Sequence, residues 1–226
     1  MISVVVPIKA FNSAKTRLAA RYDADQRACL AQASAERVLR AVADCKAIDH
    51  RIAVVESTAA AKMALYHGFE VLQRTDIYGQ SAAVGAGFHR ALQRGATNVL
   101  TVSADVPLLR PQDIEDMLKP KAPVLVMVSD REGLGTNALR LDPPIEMRLH
   151  FGPDSLALHR REAAELKLPV KVIDNPRVRI DIDVPADIDA LETSGPDGRR
   201  VLIEAGQLRA DQIKDNIWMP RRSRTV

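Results

Sequence analysis

Thr97-Asn-Val-Leu-Thr-Val-Ser-Ala-Asp-Val-Pro-Leu-Leu109 is the stretch of the chain that decides the fold. Its apolar, β-branched part, residues 99–104, predicts a strand buried on both faces, as in a parallel sheet. Pro107 ends this strand just after the carboxylate of Asp105, and Pro111 opens a helix. The stretch therefore places one acid at the carboxyl end of a central strand, where open α/β sheets bind ligands. An Asp here can also merely cap a turn, so other polar clusters must decide its role.

Strands and helices alternate on both sides of this central stretch. Helices are predicted at residues 23–45, 81–94 and 154–168, before Gly68, and from Pro111 and Pro185. Strands are predicted at residues 2–6, 51–56, 69–72, 123–129, 170–173 and 177–182, with a glycine-containing loop and short strand at 130–141. This rhythm predicts an α/β fold, namely a doubly wound mixed sheet with helices on both faces.

The domain organisation follows from length and from one turn-forming sequence. The chain has 226 residues, 46% of them hydrophobic, which is enough for a full core. Gly195-Pro-Asp-Gly198 predicts a boundary between a domain at residues 1–194 and a C-terminal appendage of unknown role at residues 195–226. The appendage contains the lone Trp218, a candidate contact for a homodimer, and ends in a basic segment.

Charge and hydropathy exclude several classes of partner. The formal net charge of +3 gives little support for nucleic-acid binding, so no nucleic-acid partner is expected. No run of eighteen apolar residues is present, and the first residues predict a strand rather than a signal peptide, so we expect no membrane association. Cys29 and Cys45 form no ligand pattern, and a reduced, cytoplasmic location is expected.

A basic cluster follows the first strand. Lys9, Lys15 and Arg17 lie in a segment that nucleotide-binding folds often fill with a glycine-rich phosphate loop. No glycine precedes Gly68, which excludes both the P-loop and the dinucleotide fingerprint at this position. Lys15 and Arg17 can instead converge on a polyphosphate, with Arg17 offering a bidentate fork. The alternative is a basic loop that is only solvated.

Two further clusters could hold an anionic ligand. In Gly133-Leu-Gly-Thr136-Asn137, glycines allow close backbone approach, and the threonine and asparagine side chains offer hydrogen bonds. Gly152 and Ser155 lie at the start of the helix predicted at residues 154–168, where free N–H groups and the helix dipole favour an anion. Ser155 could also be an ordinary N-cap. His159, one turn further on, is read as structural.

The last cluster is acidic. Asp181 and Asp183 fall on one face of the strand predicted at residues 177–182, and two carboxylates at a strand end suit a hard divalent cation. They could equally be the acidic N-terminus of the helix that Pro185 begins.

Taken together, these stretches resemble the phospholactate (or phosphoenolpyruvate) guanylyltransferase family of deazaflavin coenzyme (F-420) biosynthesis. The resemblance runs from residue 6 to about residue 191 and rests on five motifs in the right order and spacing: Val-Pro-x-Lys with Ala-Lys-x-Arg-Leu, Ala-Asp-x-Pro-Leu-Leu, Gly-Thr-Asn-Ala-Leu, Phe-Gly-Pro-x-Ser…His, and Asp-x-Asp-x-Pro-x-Asp. It implies a GT-A-like nucleotidyltransferase fold and transfer of GMP from GTP to a small phosphorylated acid, releasing pyrophosphate.

The resemblance also implies roles for individual residues. Asp105 and Asp183 would hold Mg²⁺, with Asp181 as the alternative ligand, and Thr136, Gly152 and Ser155 would hold the acceptor. We add Asn137 to the acceptor site. Lys9, Lys15, Arg17 and Gly79 are the candidate GTP-binding residues, and Asp105, Lys15 and Arg17 the candidate catalytic ones. The sequence departs from the family at Gly79-Gln80-Ser81, where relatives have Gly-Leu-Asn near the base.

Other functions stay open at this point. A molybdopterin nucleotidyltransferase or a sugar-nucleotide transferase would share the strand-end aspartates, although the missing glycine loop and the Gly-Thr-Asn motif count against both. A nucleotide-binding module without catalysis is the alternative from another class. Nothing in the sequence decides whether the acceptor is 2-phospho-L-lactate, phosphoenolpyruvate or 3-phosphoglycerate.

Overall fold

A seven-stranded sheet of order β3-β2-β1-β4-β6-β5-β7 forms the centre of the computed structural model, which describes residues 1–74, 79–142 and 147–208. β4 lies in the middle, and its residues 99–102 are all buried, as predicted for a central strand. The strands are β1 (Ile2–Ile8), β2 (His50–Val55), β3 (Glu70–Gln73), β4 (Asn98–Val102), β5 (Val124–Ser129), β6 (Thr136–Asp142) and β7 (Val170–Val172).

The sheet is mixed, as predicted. β1 pairs in parallel with β2 and β4, and β2 with β3, whereas β6 is antiparallel to both of its neighbours, β4 and β5. The reversal brings the start of β6 to the edge where β4 ends. Ser103 confirms this geometry, because its N–H donates to the Asn137 carbonyl over 2.8 Å. Thr136 and Asn137 therefore lie near Asp105 in space although they are far from it in the sequence.

Helices cover both faces of the sheet, which confirms the doubly wound prediction. α1, α2 and α4 pack on the face that carries Val4 and Val6, and α3 and α5 pack on the face that carries Val5. The helices are α1 (Ala24–Asp44), α2 (Thr58–Tyr66), α3 (Gln80–Gln93), α4 (Pro111–Leu118), α5 (Ser155–Glu165), α6 (Pro185–Thr193) and α7 (Pro196–Glu204). No helix in residues 1–74, 79–142 and 147–208 is long and apolar enough to cross a membrane.

A third apolar cluster joins α6 and α7 to the rest of the domain. Leu191 of α6 and Val201 and Leu202 of α7 are buried in it, together with Leu18 and Leu30. The helical segment after Gly195 thus contributes to a shared core. The boundary at residue 194 stays a prediction, and Trp218 lies outside the described residues.

The strand predicted at residues 177–182 is wrong. This segment forms a turn followed by irregular backbone, and it pairs with none of the seven strands in the described part of the chain. The alternation of polar and apolar residues is real, because Val178 and Ile182 are fully buried, but hydrogen bonds from other elements rather than a strand ladder fix the backbone.

Candidate active site

A cleft of about 360 Å³ opens at the carboxyl ends of β1, β2 and β4. This is the edge of an α/β sheet at which ligands are expected. The cleft collects the basic segment after β1, the end of the central strand and one acid from the segment before α6. Its polar lining residues include Lys9, Lys15, Arg17, Glu56, Gln80, Ser103, Asp105 and Asp183.

Lys15 lies at the centre of the polar end of this cleft. Its Nζ is 2.6 Å from Asp105 Oδ2 and 3.3 Å from Asp183 Oδ1, and its side chain is only 6% exposed. Two 3₁₀ turns, Phe11–Ser13 and Thr16–Leu18, shape the segment, and Lys15 joins them in the left-handed conformation with φ of 59°. Burial lowers the pKa of Lys15, but the charges of Asp105 and Asp183 outweigh burial and raise the pKa above its usual value. Lys15 is therefore charged and paired.

Asp181 adds a third carboxyl group beside this pair. Burial, together with the charges of Asp105 and Asp183, raises the pKa of Asp181 to about 7. The Asn137 side-chain amide donates to Asp181 Oδ1 over 3.1 Å, and also to the carbonyl of Val178 over 3.0 Å. Asn137, predicted to bind the acceptor, thus makes its hydrogen bonds to the acid-bearing segment.

Two buried carboxylates fix the position of the segment that carries Asp181 and Asp183. Asp113 of α4 is fully buried and accepts hydrogen bonds from Asn175 and from the guanidinium of Arg177. Asp187, in the first turn of α6, accepts the backbone N–H of Asp183 over 2.9 Å. The acids are therefore held on irregular backbone by anchors at both ends.

Arg17 and Lys9 lie at the rim of the cleft. The Arg17 side chain is 68% exposed, and its Nη1 is 3.6 Å from Asp183 Oδ2. Lys9 is also exposed and lines the cleft. The structure thus brings the three predicted cations together, with only Lys15 buried between carboxylates.

Thr136 and Ser155, two of the candidate acceptor residues, contact each other. Ser155 Oγ donates to Thr136 Oγ1 over 3.1 Å, and both residues are buried. The backbone N–H of His150 donates to His159 Nε2 over 2.9 Å, so Nδ1 carries the proton and donates to Thr136 Oγ1 over 3.2 Å. Burial, with a contribution from His150, lowers the pKa of His159 to about 4, so this ring is neutral.

The start of α5 is partly committed to internal hydrogen bonds. Gly152 is exposed, with φ of 129°. The N–H of Ser155 donates to the Gly152 carbonyl, and that of Leu156 to the Leu134 carbonyl. None of Thr136, Gly152 and Ser155 lines the cleft described above. The candidate acceptor residues are thus together, but they form a separate group beside the cleft.

Gly79 caps the start of α3 with φ of 86° and lines the cleft, as expected for a nucleotide-binding residue. The adjacent Gln80 donates its side-chain amide to Ser103 Oγ over 3.1 Å. Sequence reasoning missed Gln80, Ser103 and Glu56 as cleft residues. Each lies within two residues of a strand end or a helix start, which is the signal that could have found them.

The strand order and the helices on both faces of the sheet give the chain a GT-A-like nucleotidyltransferase fold. A nucleotidyl transferase from Methanothermobacter thermautotroptrophicus has this fold, with a TM-score of 0.57, 16% identity and coverage of 86% of this chain and 97% of that one. A structure from Desulfovibrio desulfuricans G20, described as a nucleotide-diphospho-sugar transferase, aligns with a TM-score of 0.73 at 13% identity, covering 91% and 95% of the two chains.

The chain belongs to the family described as "Guanylyl transferase CofC like", whose sequence profile matches residues 2–200. A phosphoenolpyruvate guanylyltransferase from Conexibacter woesei is 37% identical over 192 residues, which are 83% of this chain and 85% of that protein. A 3-phospho-D-glycerate guanylyltransferase from Colwellia psychrerythraea is 30% identical over 190 residues, 84% and 90% of the two chains. The resemblance seen in the sequence motifs is confirmed.

Proposed function

We propose that this protein transfers GMP from GTP to a small phosphorylated acid, as a step of coenzyme F-420 biosynthesis. An oxygen of the acceptor's phosphate attacks the α-phosphorus of GTP, the bond from that phosphorus to the bridging oxygen breaks, and pyrophosphate leaves. The observation that carries the proposal is Lys15, held between Asp105 and Asp183 at the end of the central strand. Family membership supports the same reaction.

The nucleophile needs no activation by the protein. A phosphate monoester has a second pKa of about 6 and is already a dianion at neutral pH. In agreement, no histidine or cysteine lines the described part of the cleft. The protein has to hold two mutually repelling anions in line and offset the developing charge.

Asp105 and Asp183 fit a magnesium ion, with Asp181 as the third oxygen donor within reach. No cage of three His, Cys, Asp or Glu side chains is preformed in residues 1–74, 79–142 and 147–208. Burial and the charges of Asp105 and Asp183 both raise the pKa of Asp181, and a divalent cation would relieve the repulsion among the three carboxyl groups. When bound, the ion offsets charge on the phosphates.

The cations divide the remaining work by their burial. Lys15 is the buried point charge closest to the acids, and it suits the phosphate at which the bond breaks. Arg17, which is exposed at the rim beside Asp183, suits the departing end of the triphosphate, and Lys9 is a further candidate contact of the nucleotide. Thr136, Gly152 and Ser155 are the proposed acceptor residues, whereas Asn137 holds Asp181 in place.

The test is an assay of pyrophosphate release from GTP and Mg²⁺ with each of 2-phospho-L-lactate, phosphoenolpyruvate and 3-phosphoglycerate. We expect release with one of them, and a guanylylated product by mass spectrometry. Release with molybdopterin or a sugar phosphate instead would favour the sister enzymes of this fold. If the protein binds GTP but releases no pyrophosphate with any acceptor, the remaining candidate is a nucleotide-binding module without catalysis.

The metal ligands are tested without turnover. Mn²⁺ binding, followed by electron paramagnetic resonance, should weaken at least about tenfold in Asp105→Asn, because a hard cation depends on carboxylate charge. If Asp181→Asn weakens Mn²⁺ binding and Asp183→Asn does not, the second ligand is Asp181.

A further inference from the structure

The cleft has a second end, which the proposed roles leave unused. Strand order places β2 two strands from β4, or about 10 Å along the cleft edge. If the triphosphate lies among Lys15, Asp105 and Asp183, as the proposed function has it, the nucleoside extends toward β2. The cleft there is lined by Val54, Val55, Glu56, Gly79 and Ala83.

Glu56 is the acid of this second end. Three carboxylates line the described part of the cleft, and the other two, Asp105 and Asp183, are paired with Lys15. Glu56 directly follows β2, and its N–H donates to the Ile8 carbonyl over 3.2 Å, which keeps its backbone in line with β1. Its Oε2 accepts the backbone N–H of Ala10 over 3.1 Å. The carboxylate is therefore held in a fixed place at the nucleoside end.

We propose that Glu56 selects guanine, by accepting hydrogen bonds from the ring N1–H and the 2-amino group. An ionised carboxylate only accepts, through two oxygens with about four lone-pair sites, so the bond from Ala10 leaves capacity for both donors. Guanine presents these two donors side by side. Adenine presents an unprotonated N1 and no 2-amino group, so its lone pair would face the carboxylate. Hypoxanthine keeps N1–H but lacks the 2-amino group.

The walls at this end agree with a flat base. Val54 and Val55 are buried beneath the cleft floor, and Ala83 of α3 offers a small apolar side chain. Gln80 makes its hydrogen bond to Ser103, so its amide is directed toward β4. Of the three carboxylates that line the described part of the cleft, Glu56 is the one at the end that the base would reach.

The experiment compares GTP, ITP and ATP as nucleotide donors, measuring kcat/KM for wild type and Glu56→Gln with the best acceptor. We expect wild type to prefer GTP over ITP by at least about tenfold. ITP lacks the 2-amino group, so one hydrogen-bond acceptor of the Glu56 carboxylate would stay unpaired. In Glu56→Gln, kcat/KM for GTP should fall more than kcat/KM for ITP, and the ratio of the two should come within about threefold. Glu165→Gln, on the exposed face of α5, is the matched control and should keep the wild-type ratio.

An unchanged ratio of GTP to ITP in Glu56→Gln would overturn the inference and leave Glu56 as a tether for Ala10. If wild type transfers no nucleotide, the proposed function fails, and titration calorimetry with GTP and ITP still tests Glu56 on its own. Should Glu56→Gln fail to fold, as judged by circular dichroism, Glu56→Asp retains the charge but withdraws it by one methylene. In this variant too, kcat/KM for GTP should fall more than kcat/KM for ITP, and equal decreases would contradict the proposal.

Discussion

Lys15 and Arg17 are two residues apart and carry the same charge, yet their surroundings differ. Lys15 is buried between Asp105 and Asp183, and Arg17 is mostly exposed. Removing a buried partner leaves carboxylates uncompensated, whereas an exposed ion pair contributes little. The two residues therefore form a natural comparison of a central and a peripheral cation.

We expect Lys15→Ala to lower kcat/KM for GTP at least about a hundredfold and to lower the metal-free melting temperature. Arg17→Ala should cost about tenfold, mainly in the KM for GTP, and Arg17→Lys should not restore it fully because the bidentate fork is lost. Steady-state kinetics with saturating acceptor and thermal melting provide the check. Equal effects of the two alanine variants would contradict this division.

His159 gives a pH dependence of stability. Its pKa in the folded protein is about 4, below the ordinary value of 6.5, so the folded state binds fewer protons between these values. The stability that depends on neutral His159 is therefore present above pH 6.5 and is lost as the pH falls toward 4. Relative to the His159→Gln variant, the free energy of unfolding of the wild type should fall by up to about 1.4 kcal/mol per pH unit in this window.

The measurement is urea unfolding of both proteins between pH 7 and pH 5. His89→Gln, at an exposed position on α3, serves as the control and should follow wild type at every pH. A constant difference between wild type and His159→Gln would mean that the ring also accepts a proton in the folded state.

Sequence reasoning identified many of the residues near the cleft but could not give their pairing. Strand ends and local charge predict Asp105 and Lys15, whereas the prediction of Asp183 depends on a strand that the structure does not contain. That Lys15 lies between the two acids depends on a contact across 90 and 168 positions, which no local pattern encodes. Asn137 was recognised as polar and close to the site, but its bond to Asp181 follows from the reversal of β6.

At the scale of elements, close packing of α3 against β1 determines how far the start of α3, which borders the cleft, lies from the sheet. Gly87 of α3 faces Val5 of β1 so closely that an added Cβ would lie 2.3 Å from Val5 Cγ1. Gly85, two positions away in the same helix, has nothing within 4 Å of an added Cβ. The two glycines thus test packing and helix propensity separately.

Gly87→Ala should destabilise the protein by about 1–3 kcal/mol through overpacking. Gly85→Ala should be neutral or stabilise it by up to about 1 kcal/mol, since alanine restricts the unfolded chain more than glycine does. Denaturant unfolding measures both changes. Because Val5 is fully buried, Val5→Ala is costly by itself, but Gly87→Ala and Val5→Ala together should cost less than the sum of the two single changes. An additive cost would place the strain elsewhere.

Most elements could be predicted because their apolar periodicity reflects burial directly. The sequence predicts, for example, that the first helix starts at Asp23, and Asp23 caps α1 by accepting the N–H of Gln26 over 2.8 Å. The strand prediction for residues 177–182 is wrong because alternating burial also arises in an irregular segment. Asn137 holds its backbone at the Val178 carbonyl, and Asp113 holds the Arg177 side chain, and both partners lie at distant positions in the chain.

At the scale of the whole molecule, the third apolar cluster supports the active site from below. The three segments that carry Lys15, Asp105 and the acidic pair contribute Leu18, Leu108 and Ile182 to it. α7 covers the same cluster with Leu202, which is 1% exposed. The helix after Gly195 is thus coupled to the site through shared packing.

We expect Leu202→Ala to destabilise the domain by about 2–5 kcal/mol, as for a large-to-small change in a core. Leu65→Ala, where the leucine is 60% exposed on α2, should cost less than about 0.5 kcal/mol. Chemical unfolding followed by circular dichroism compares them. Two separate transitions, with Leu202→Ala affecting only one, would support a boundary at residue 194.

The hairpin between β5 and β6 has a consequence for engineering. Its turn, residues 130–135, is closed by Asp130, whose Oδ1 and Oδ2 accept the N–H groups of Leu134 and Gly135 over 2.8 and 2.7 Å. The turn joins Ser129 of β5 to Thr136 of β6, and these two residues pair beyond a register shift that follows Val128. Its tip can therefore be randomised as a short cassette without redesigning the sheet, because surface turns tolerate replacement. Arg131 has to be kept, because its guanidinium pairs with Asp187 at the start of α6 over 3.1 Å. A library limited to residues 132 and 134 would test whether this turn influences the choice of acceptor.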